Sequence, residues 1–204
     1  MSRLEELIAE HCPDGVEYVE LGDVCEIMRG KVISKKYIAE NTGDYPVYSS
    51  QTLNDGVLGY IDSYMLDGDY VSWTTDGAHA GSVFYRSGKF NITNVSGVIS
   101  IKEKYEGKLH LRFVYYVMSY IGKRYVSAGM GNAKLMSNVV SSIRIPLPPI
   151  DVQNEIVRIL DTFTELTQEL TKELELRQKQ YEHYRDTLLT FEDATTNRIG
   201  ENRS

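Results

Sequence analysis

The chain has 204 residues, of which 42% are hydrophobic and 25% are charged, and its formal net charge at pH 7 is −7. These values are typical of a soluble globular protein with one domain and an appendage, because domains usually run about 100 to 150 residues. A run of about 18 apolar residues, which a membrane-spanning helix needs, is absent. The acidic start of the chain does not have the pattern of a secretory signal, so we expect a cytoplasmic protein with no membrane contact.

The negative charge is unevenly distributed along the chain. Residues 146–191 carry five basic and nine acidic side chains, whereas residues 16–145 carry 14 basic and 13 acidic ones. The central region is therefore nearly neutral, which permits a basic surface that faces nucleic acid.

The N-terminal half of the sequence predicts a strand-rich module. Residues 4–11, "LEELIAEH", predict a short amphipathic helix that ends before Pro13. Between residues 16 and 101, turn signals such as "NDG" and "TDG" separate β-prone runs and favour an antiparallel or mixed sheet. Examples of these runs are "VEYVEL", "PVYSS", "VLGYI", "YVSWTT", "GSVFYR" and "SGVISI".

The next part of the chain predicts one helix and a return to extended structure. Residues 108–125 form a long apolar and aromatic run, which indicates a helix packed on the sheet. Residues 127–138 predict a glycine-punctuated loop, and "VVSSIRIPL" predicts an extended segment that leads into Pro146, Pro148 and Pro149. The polar residues 192–204 lack periodicity and predict a disordered tail. The fold class expected is α+β.

The strongest pattern in the chain is a heptad repeat. Alternate steps of four and three residues from Ile156 to Phe191 meet apolar or aromatic residues at nine of eleven positions. The pattern predicts a helix over residues 151–191, capped by Asp151 and about 60 Å long, with a narrow apolar seam. Such a seam needs a partner helix, and a two-fold homodimer is the commonest solution. The dimerisation residues expected are Ile156, Leu160, Phe163, Leu170, Leu174, Tyr181, Tyr184 and Leu188.

Candidate catalytic and metal sites are weak. "TTDGAHAG" brings Thr75, Asp76 and His79 close in sequence, but a polar turn with a hydrogen-bonding histidine explains them better, and no nucleophile motif accompanies them. "GMGN" (129–132) lacks the preceding strand and following helix of a phosphate-binding loop. Cys12 and Cys25 lie in no CxxC or Cys/His cluster, so we expect reduced cysteines, no metal and no catalysis.

A better-supported constellation consists of polar loops whose side chains can read DNA. Arginine and lysine contact phosphates and guanine, whereas glutamine and asparagine pair with adenine. Ordinary solvated loops are the alternative, and Trp73 can equally belong to the core. The DNA-binding residues expected are Arg29, Lys31, Lys35, Lys36, Gln51, Thr74, Thr75, His79, Asn94, Asn132 and Lys134, with Trp73 and Asn91 as further candidates.

Three segments and the heptad helix together resemble the DNA-specificity subunits of type I restriction-modification enzymes. The segments are "CPDGVEYVELGDVCEIMRGK" (12–31), "GKFNITNVSGVI" (88–99) and "IPLPPIDVQNEIVRIL" (145–160). The resemblance implies a target-recognition domain over residues 1–149 and a conserved spacer helix over residues 150–191. Members of the family usually carry two of each, so one copy implies a half subunit or a fragment.

The resemblance also implies a division of labour. This chain would select the double-stranded DNA target without a cofactor of its own, while methyltransferase subunits use S-adenosylmethionine and restriction subunits cleave. A homodimer would then read a bipartite, palindromic site. The alternatives are a β-rich ligand-binding module on a coiled-coil stalk, without a role in DNA binding, and a small stand-alone enzyme.

Overall fold

The computed structural model of the chain describes residues 2–51, 53–127 and 132–191. Two compact units are present, of which the first, the globular unit, ends at Ile159 and the second begins at Leu160. Part of the predicted loop 127–138 and the whole predicted tail 192–204 lie outside the described residues.

The helices include both long helices that the sequence predicts. In α1, the Oγ of Ser2 accepts from the backbone N–H of Glu5, and the Glu5 carboxylate accepts in return from the N–H of Ser2, 2.7 Å away. This capping box satisfies donors that would otherwise lack partners at the helix start. The helices are α1 Arg3–His11, α2 Leu21–Val24, α3 Lys35–Glu40, α4 Leu111–Ile121, α5 Ser137–Ser141 and α6 Ile150–Leu189.

In the described part of the chain, ten strands and the helices form a mixed α+β fold, as predicted. They build a two-stranded ribbon, β1-β10, and two four-stranded sheets with the orders β2-β9-β6-β7 and β4-β3-β8-β5. All pairs are antiparallel except β3 and β8, which run parallel. The strands are β1 Tyr18–Glu20, β2 Cys25–Arg29, β3 Thr42–Tyr48, β4 Val57–Ile61, β5 Leu66–Asp67, β6 Tyr70–Thr74, β7 Val83–Arg86, β8 Lys89–Ile92, β9 Ser96–Ile101 and β10 Arg144–Pro146.

The main core lies between the β2-β9-β6-β7 sheet and α4. Trp73 and Ile99 from the sheet pack with Phe113, Val114 and Met118 from α4. The predicted packing of this helix on the sheet is therefore confirmed, and the alternative that Trp73 belongs to the core is correct.

Both cysteines are free and buried in the folded chain. Burial raises the pKa of the Cys25 thiol to about 12, with a small opposing effect of the Lys102 charge. The thiol is therefore neutral at physiological pH and acts as a small apolar side chain.

The proline junction, residues 146–149, begins in the two-stranded ribbon β1-β10. This ribbon pairs a segment near the start of the globular unit's sequence with a segment near its end. Pro146 lies opposite Tyr18, and the N–H of Leu147 donates to the carbonyl of Glu17 over 2.8 Å. Proline is tolerated there because the ribbon is only two strands wide, so Pro146 needs no second partner strand.

The start of α6 belongs to the same globular unit. Val152 packs with Leu7 and Cys12 in a small cluster, and Val157 enters the main core. The fully buried Gln153 accepts from the N–H of His110 at 2.8 Å and donates to the carbonyls of Lys108 at 2.9 Å and Pro148 at 2.7 Å. Three hydrogen bonds thus hold the first turn of α6 in place.

Several expectations about local structure are wrong. Asp151 lies in the first turn of α6, which begins at Ile150, and does not cap it. Val139 and Val140 are helical in α5 because Val140 is fully buried in the main core, and packing overrides their strand preference. Strands β2, β5 and β8 have no counterpart among the runs that the sequence predicts as strands.

Helix α6 spans 40 residues, which corresponds to a length of about 60 Å at about 1.5 Å per residue. The helix is continuous from Ile156 to Leu188, as predicted, but it ends at Leu189, so the last predicted heptad residue, Phe191, lies beyond it. Among the described residues, none of the helices has the length and apolar character needed to cross a membrane.

Candidate nucleic-acid interface

The sheet topology brings the ends of four strands to one edge of the globular unit. Strands β2 and β6 both pair antiparallel with β9, so they run in the same direction, and β3 runs parallel to β8. A parallel bridge between Lys31 and Thr93 joins the two sheets at the ends of β2 and β8. We name this region the loop edge; it consists of the loops 30–34, 75–81 and 93–95, together with residues 49–51 and 53–56 of the loop after β3.

Backbone hydrogen bonds connect the loops of this edge. The N–H of Thr93 donates to Tyr48 O and that of Thr75 to Val95 O, both over 2.9 Å. Segment 132–135 joins the edge through the N–H of Leu135, which donates to Thr75 O over 2.8 Å. Gly30 is required here, because a Cβ at this position would lie 2.2 Å from the carbonyl oxygen of Ile92. Segments far apart in sequence therefore form one rigid surface.

The centre of the loop edge is an ion-pair cluster around Asp76. The carboxylate of Asp76 lies 3.6 Å from Nη2 of Arg29 and 3.9 Å from Nζ of Lys134. Arg29 also donates to the carbonyl of Asn94 and to the hydroxyl of Thr75. Asp76 thus brings together two of the predicted DNA-binding cations, Arg29 and Lys134. Asp76 itself is not among the predicted DNA-binding residues.

Two predicted DNA-binding residues, Thr74 and Thr75, are buried and have structural roles. Their residues are 1% and 0% exposed. The hydroxyl of Thr74 donates to the carbonyl of His79, and that of Thr75 donates to the carboxylate of Asp76. Their burial in the free chain does not agree with the exposure that a direct contact with DNA needs, so both threonines support the loop.

The two further candidates, Trp73 and Asn91, are also buried. The indole N–H of Trp73 donates to the carbonyl of Leu135 over 3.0 Å. Asn91 is 4% exposed within β8, and its amide donates to the carbonyl of Ser63 over 2.7 Å. Both side chains support the loops without reaching solvent.

Gln51 is half-buried, and its amide N–H donates to the carbonyl of Val57, so the side chain closes its own loop. In the free chain this amide is thus engaged within its own loop on the loop edge, and its contact with adenine stays a prediction. Across the loop, Arg86 pairs with Asp55 and stacks on Tyr48 at 3.8 Å. Burial raises the pKa of the Tyr48 hydroxyl, and the Arg86 charge lowers it in part.

The remaining predicted DNA-binding residues are exposed. Lys31 lies on the loop edge, while Lys35 and Lys36 belong to the first turn of α3 instead of the predicted loop. Ser34 caps this helix, with its Oγ accepting from the N–H of Tyr37 at 3.0 Å, and Lys36 lies 3.8 Å from Glu40. The exposed residues of the predicted set are Lys31, Lys35, Lys36, His79, Asn94, Asn132 and Lys134.

The arrangement does not favour catalysis. Asp76, the acid of the possible acid–base group, is paired with two cations, and Thr75 donates to Asp76 and not to His79. Within the described part of the chain, no group of three or more His, Cys, Asp or Glu could hold a metal ion.

The apolar seam of α6 is exposed beyond the globular unit. Phe163, Leu170 and Leu174 are 62%, 57% and 68% exposed. Tyr181, Tyr184 and Leu188 are exposed as well. Leu160 is half-buried, and Ile156 packs against both Val152 and the main core, so Ile156 already has partners within the globular unit. A large apolar stripe on a water-exposed helix is typical of an interaction surface.

The chain combines a strand-rich module, which has polar loops at one edge, with an exposed heptad helix. These features are typical of a class of binding protein that contacts a partner through a helical surface. The family model of the type I restriction modification DNA specificity domain matches residues 13–177. The chain therefore belongs to this family, and the resemblance found in the sequence is confirmed.

Relatives and solved structures agree with this assignment. The specificity subunit of the type I restriction enzyme MpnII of Mycoplasma pneumoniae is 38% identical over 179 residues, which cover 86% of this chain and 53% of that protein. The chain spans about half the length of this relative, and 58% and 46% of two others from the same organism.

The fold is that of solved specificity subunits. The crystal structure of a type I restriction-modification S subunit from M. genitalium has a TM-score of 0.65 at 17% identity, covering 90% of this chain and 48% of that one. An HsdS subunit from Thermoanaerobacter tengcongensis has a TM-score of 0.59 at 18% identity, covering 83% and 44%. The family match does not support the stalk-borne ligand-binding module as an alternative.

Proposed function

We propose that this chain is a DNA-specificity polypeptide of a type I restriction-modification enzyme, and that its globular unit reads one half of a bipartite duplex target. The observation that carries the proposal is the loop edge, where the predicted cations and amides of a chain of this family meet. Lys31, Lys134 and Asn94 are exposed there, beside the half-buried Arg29.

The chemistry of the loop edge fits a DNA duplex. Lysine side chains neutralise phosphates and release counterions, whereas an exposed asparagine can hydrogen-bond to a base edge. Asp76 holds Arg29 and Lys134 in place before DNA arrives. In the complex, these two cations would exchange part of their pairing with Asp76 for contacts to DNA.

Helix α6 supplies the second part of the proposal. Its exposed seam, from Phe163 to Leu188, would pair antiparallel with the same helix of a second copy. A homodimer of this kind reads two inverted half-sites. Methyltransferase subunits would dock on the dimer and methylate adenine with S-adenosylmethionine, and restriction subunits would cleave, so this chain needs no cofactor and performs no catalysis.

The experiment that tests this function is co-expression of the full chain with methyltransferase subunits from its own source, followed by sequencing of methylated adenines. We expect methylation at a two-part palindromic sequence that depends on this chain. Methylation that is absent, or unchanged when the chain is omitted, would contradict the proposal. A lack of co-purification with methyltransferase subunits would contradict the docking role.

A further inference from the structure

One of the loops that form the loop edge carries an exposed leucine. Leu53 is 82% exposed, and Val32 is 80% exposed. These are the highest exposures among the large apolar side chains that the structure describes in the globular unit. Both belong to the loop edge: Leu53 lies in the loop after β3, and Val32 in the loop after β2.

The loop that carries Leu53 has an unusual backbone. Asn54 and Asp55 have φ values of 51° and 52°, and Gly56 has a φ of 80°. Successive left-handed residues are unfavourable unless the surrounding structure imposes them, and such backbone is frequent at binding sites. Asn, Asp and Gly are the residues that turns between antiparallel strands such as β3 and β4 favour at positive φ, so this conformation fixes how the turn presents Leu53.

A buried arginine imposes this conformation. The Arg86 side chain is 4% exposed and pairs with the Asp55 carboxylate, and its Nη2 donates to the Asp55 carbonyl over 2.6 Å. Its guanidinium stacks 3.8 Å from the Tyr48 ring and 4.5 Å from the Phe84 ring. Arg86 thus holds Asp55, two residues after Leu53, and stabilises the turn that carries Leu53.

The neighbourhood indicates what this leucine contacts. The loop edge carries Lys31, Asn94 and the Arg29 cluster, whose chemistry matches phosphates and base edges. The apolar group on a base edge of duplex DNA is the C5-methyl of thymine in the major groove. We propose that Leu53 is a specificity-determining residue that packs on a thymine methyl, and that Arg86 is the positioning residue of its loop. This inference rests on the proposed function.

The test removes the methyl group from either side of the contact. The assembled complex with methyltransferase subunits first selects its target from a randomised duplex library, and each thymine of the target is then replaced by uracil. At one thymine, we expect uracil to weaken binding of the wild-type complex about fourfold, the value of one buried methyl group. The Leu53→Ala complex should bind thymine and uracil at that position equally.

Matched controls identify the residue. Val32→Ala tests the other exposed apolar side chain of the loop edge, and Tyr120→Ala removes a side chain that is 72% exposed on α4. Both variants should keep the thymine preference at the Leu53 position. A Leu53→Ala complex that still prefers thymine, or a wild-type complex indifferent to uracil throughout, overturns the inference. If the wild-type complex selects no duplex, the proposed function itself fails.

The positioning role has its own test at Asp55. Glycine adopts left-handed backbone freely and keeps the backbone carbonyl that accepts from Arg86, but it removes the carboxylate that pairs with Arg86. Asparagine tolerates this backbone and keeps a side-chain acceptor. We expect Asp55→Gly to lose the discrimination between thymine and uracil, and Asp55→Asn to retain it. Equal discrimination by both variants overturns the role of Arg86.

Discussion

Nη2 of Arg29 lies 3.6 Å from Oδ2 of Asp76, and these residues come from the ends of two strands, β2 and β6, that are separated by β9. The same carboxylate lies 3.9 Å from Nζ of Lys134. One acidic residue thus orders two predicted DNA-binding cations and lowers the net positive charge of the free surface.

Removing the charge of Asp76 should make DNA binding stronger and less selective. In the Asp76→Asn variant, Arg29 and Lys134 lose their ionic partner and become available to any phosphate. We expect tighter binding to unrelated duplexes, with a salt dependence of log K steeper by about one. Fluorescence anisotropy of the full chain at several salt concentrations measures both quantities.

The matched control is Asp67→Asn, which changes the net charge equally. Asp67 pairs with Lys89, 4.0 Å away. Lys89 is the first residue of β8, so this pair lies at the end of that strand opposite to the loop edge. An equal gain in affinity from both variants would mean that net charge alone acts and that Asp76 has no local role.

Lys31 should act as a phosphate contact. We expect Lys31→Ala to weaken binding to all sequences by a similar factor and to lower the salt slope by about one, because one counterion fewer is released. Lys104→Ala is the control, because Lys104 is exposed and follows the end of β9 that lies away from the loop edge; it should change neither quantity. If Lys31→Ala altered the preference at a single base pair instead, Lys31 would be a base contact.

Gln153 should be important for stability because it satisfies three backbone groups in the interior. The Gln153→Ala variant leaves a buried N–H and two carbonyls without this partner. We expect the free energy of unfolding to fall by about 2 to 4 kcal/mol, as measured by denaturant titration. Gln168→Ala, on the exposed surface of α6, should change it by less than about 0.5 kcal/mol.

The α6 seam should hold the proposed homodimer together. In the double variant Leu170→Glu/Leu174→Glu, charges replace two exposed seam residues, and we expect dissociation to a monomer in sedimentation equilibrium. Leu176→Glu is the matched control, because Leu176 is 66% exposed on the same helix but lies outside the heptad positions. A wild-type chain that is monomeric would contradict the dimer.

Periodicity and turn chemistry were sufficient to predict the larger elements. The long helix α6, the helix α4 and the alternation of strands and turns follow from spacings of apolar residues that neighbouring residues determine. The sequence did not predict strand β2. Charged residues interrupt the apolar residues of "CEIMRGK", and this segment directly follows the short helix α2. The helix α5 was missed because its valines prefer strands.

The DNA-binding set shows where local reasoning ends. The exposure of Lys31, Asn94 and Lys134 agrees with their prediction, whereas Thr74, Thr75 and Asn91 are buried. A polar residue at a strand end has the same local pattern whether it faces solvent or supports a loop. Leu53 was not predicted as a binding residue, because the sequence does not tell whether an apolar residue in a turn is exposed or buried.

The sequence alone determined the family, the α+β class and the heptad seam, because these depend on motifs and on spacings within single segments. The tertiary structure decided which loops share one edge, that Asp76 joins Arg29 to Lys134, and that Arg86 supports the loop of Leu53. These contacts join residues 31 to 58 positions apart in sequence. They depend on strand order and direction, which local propensity does not contain.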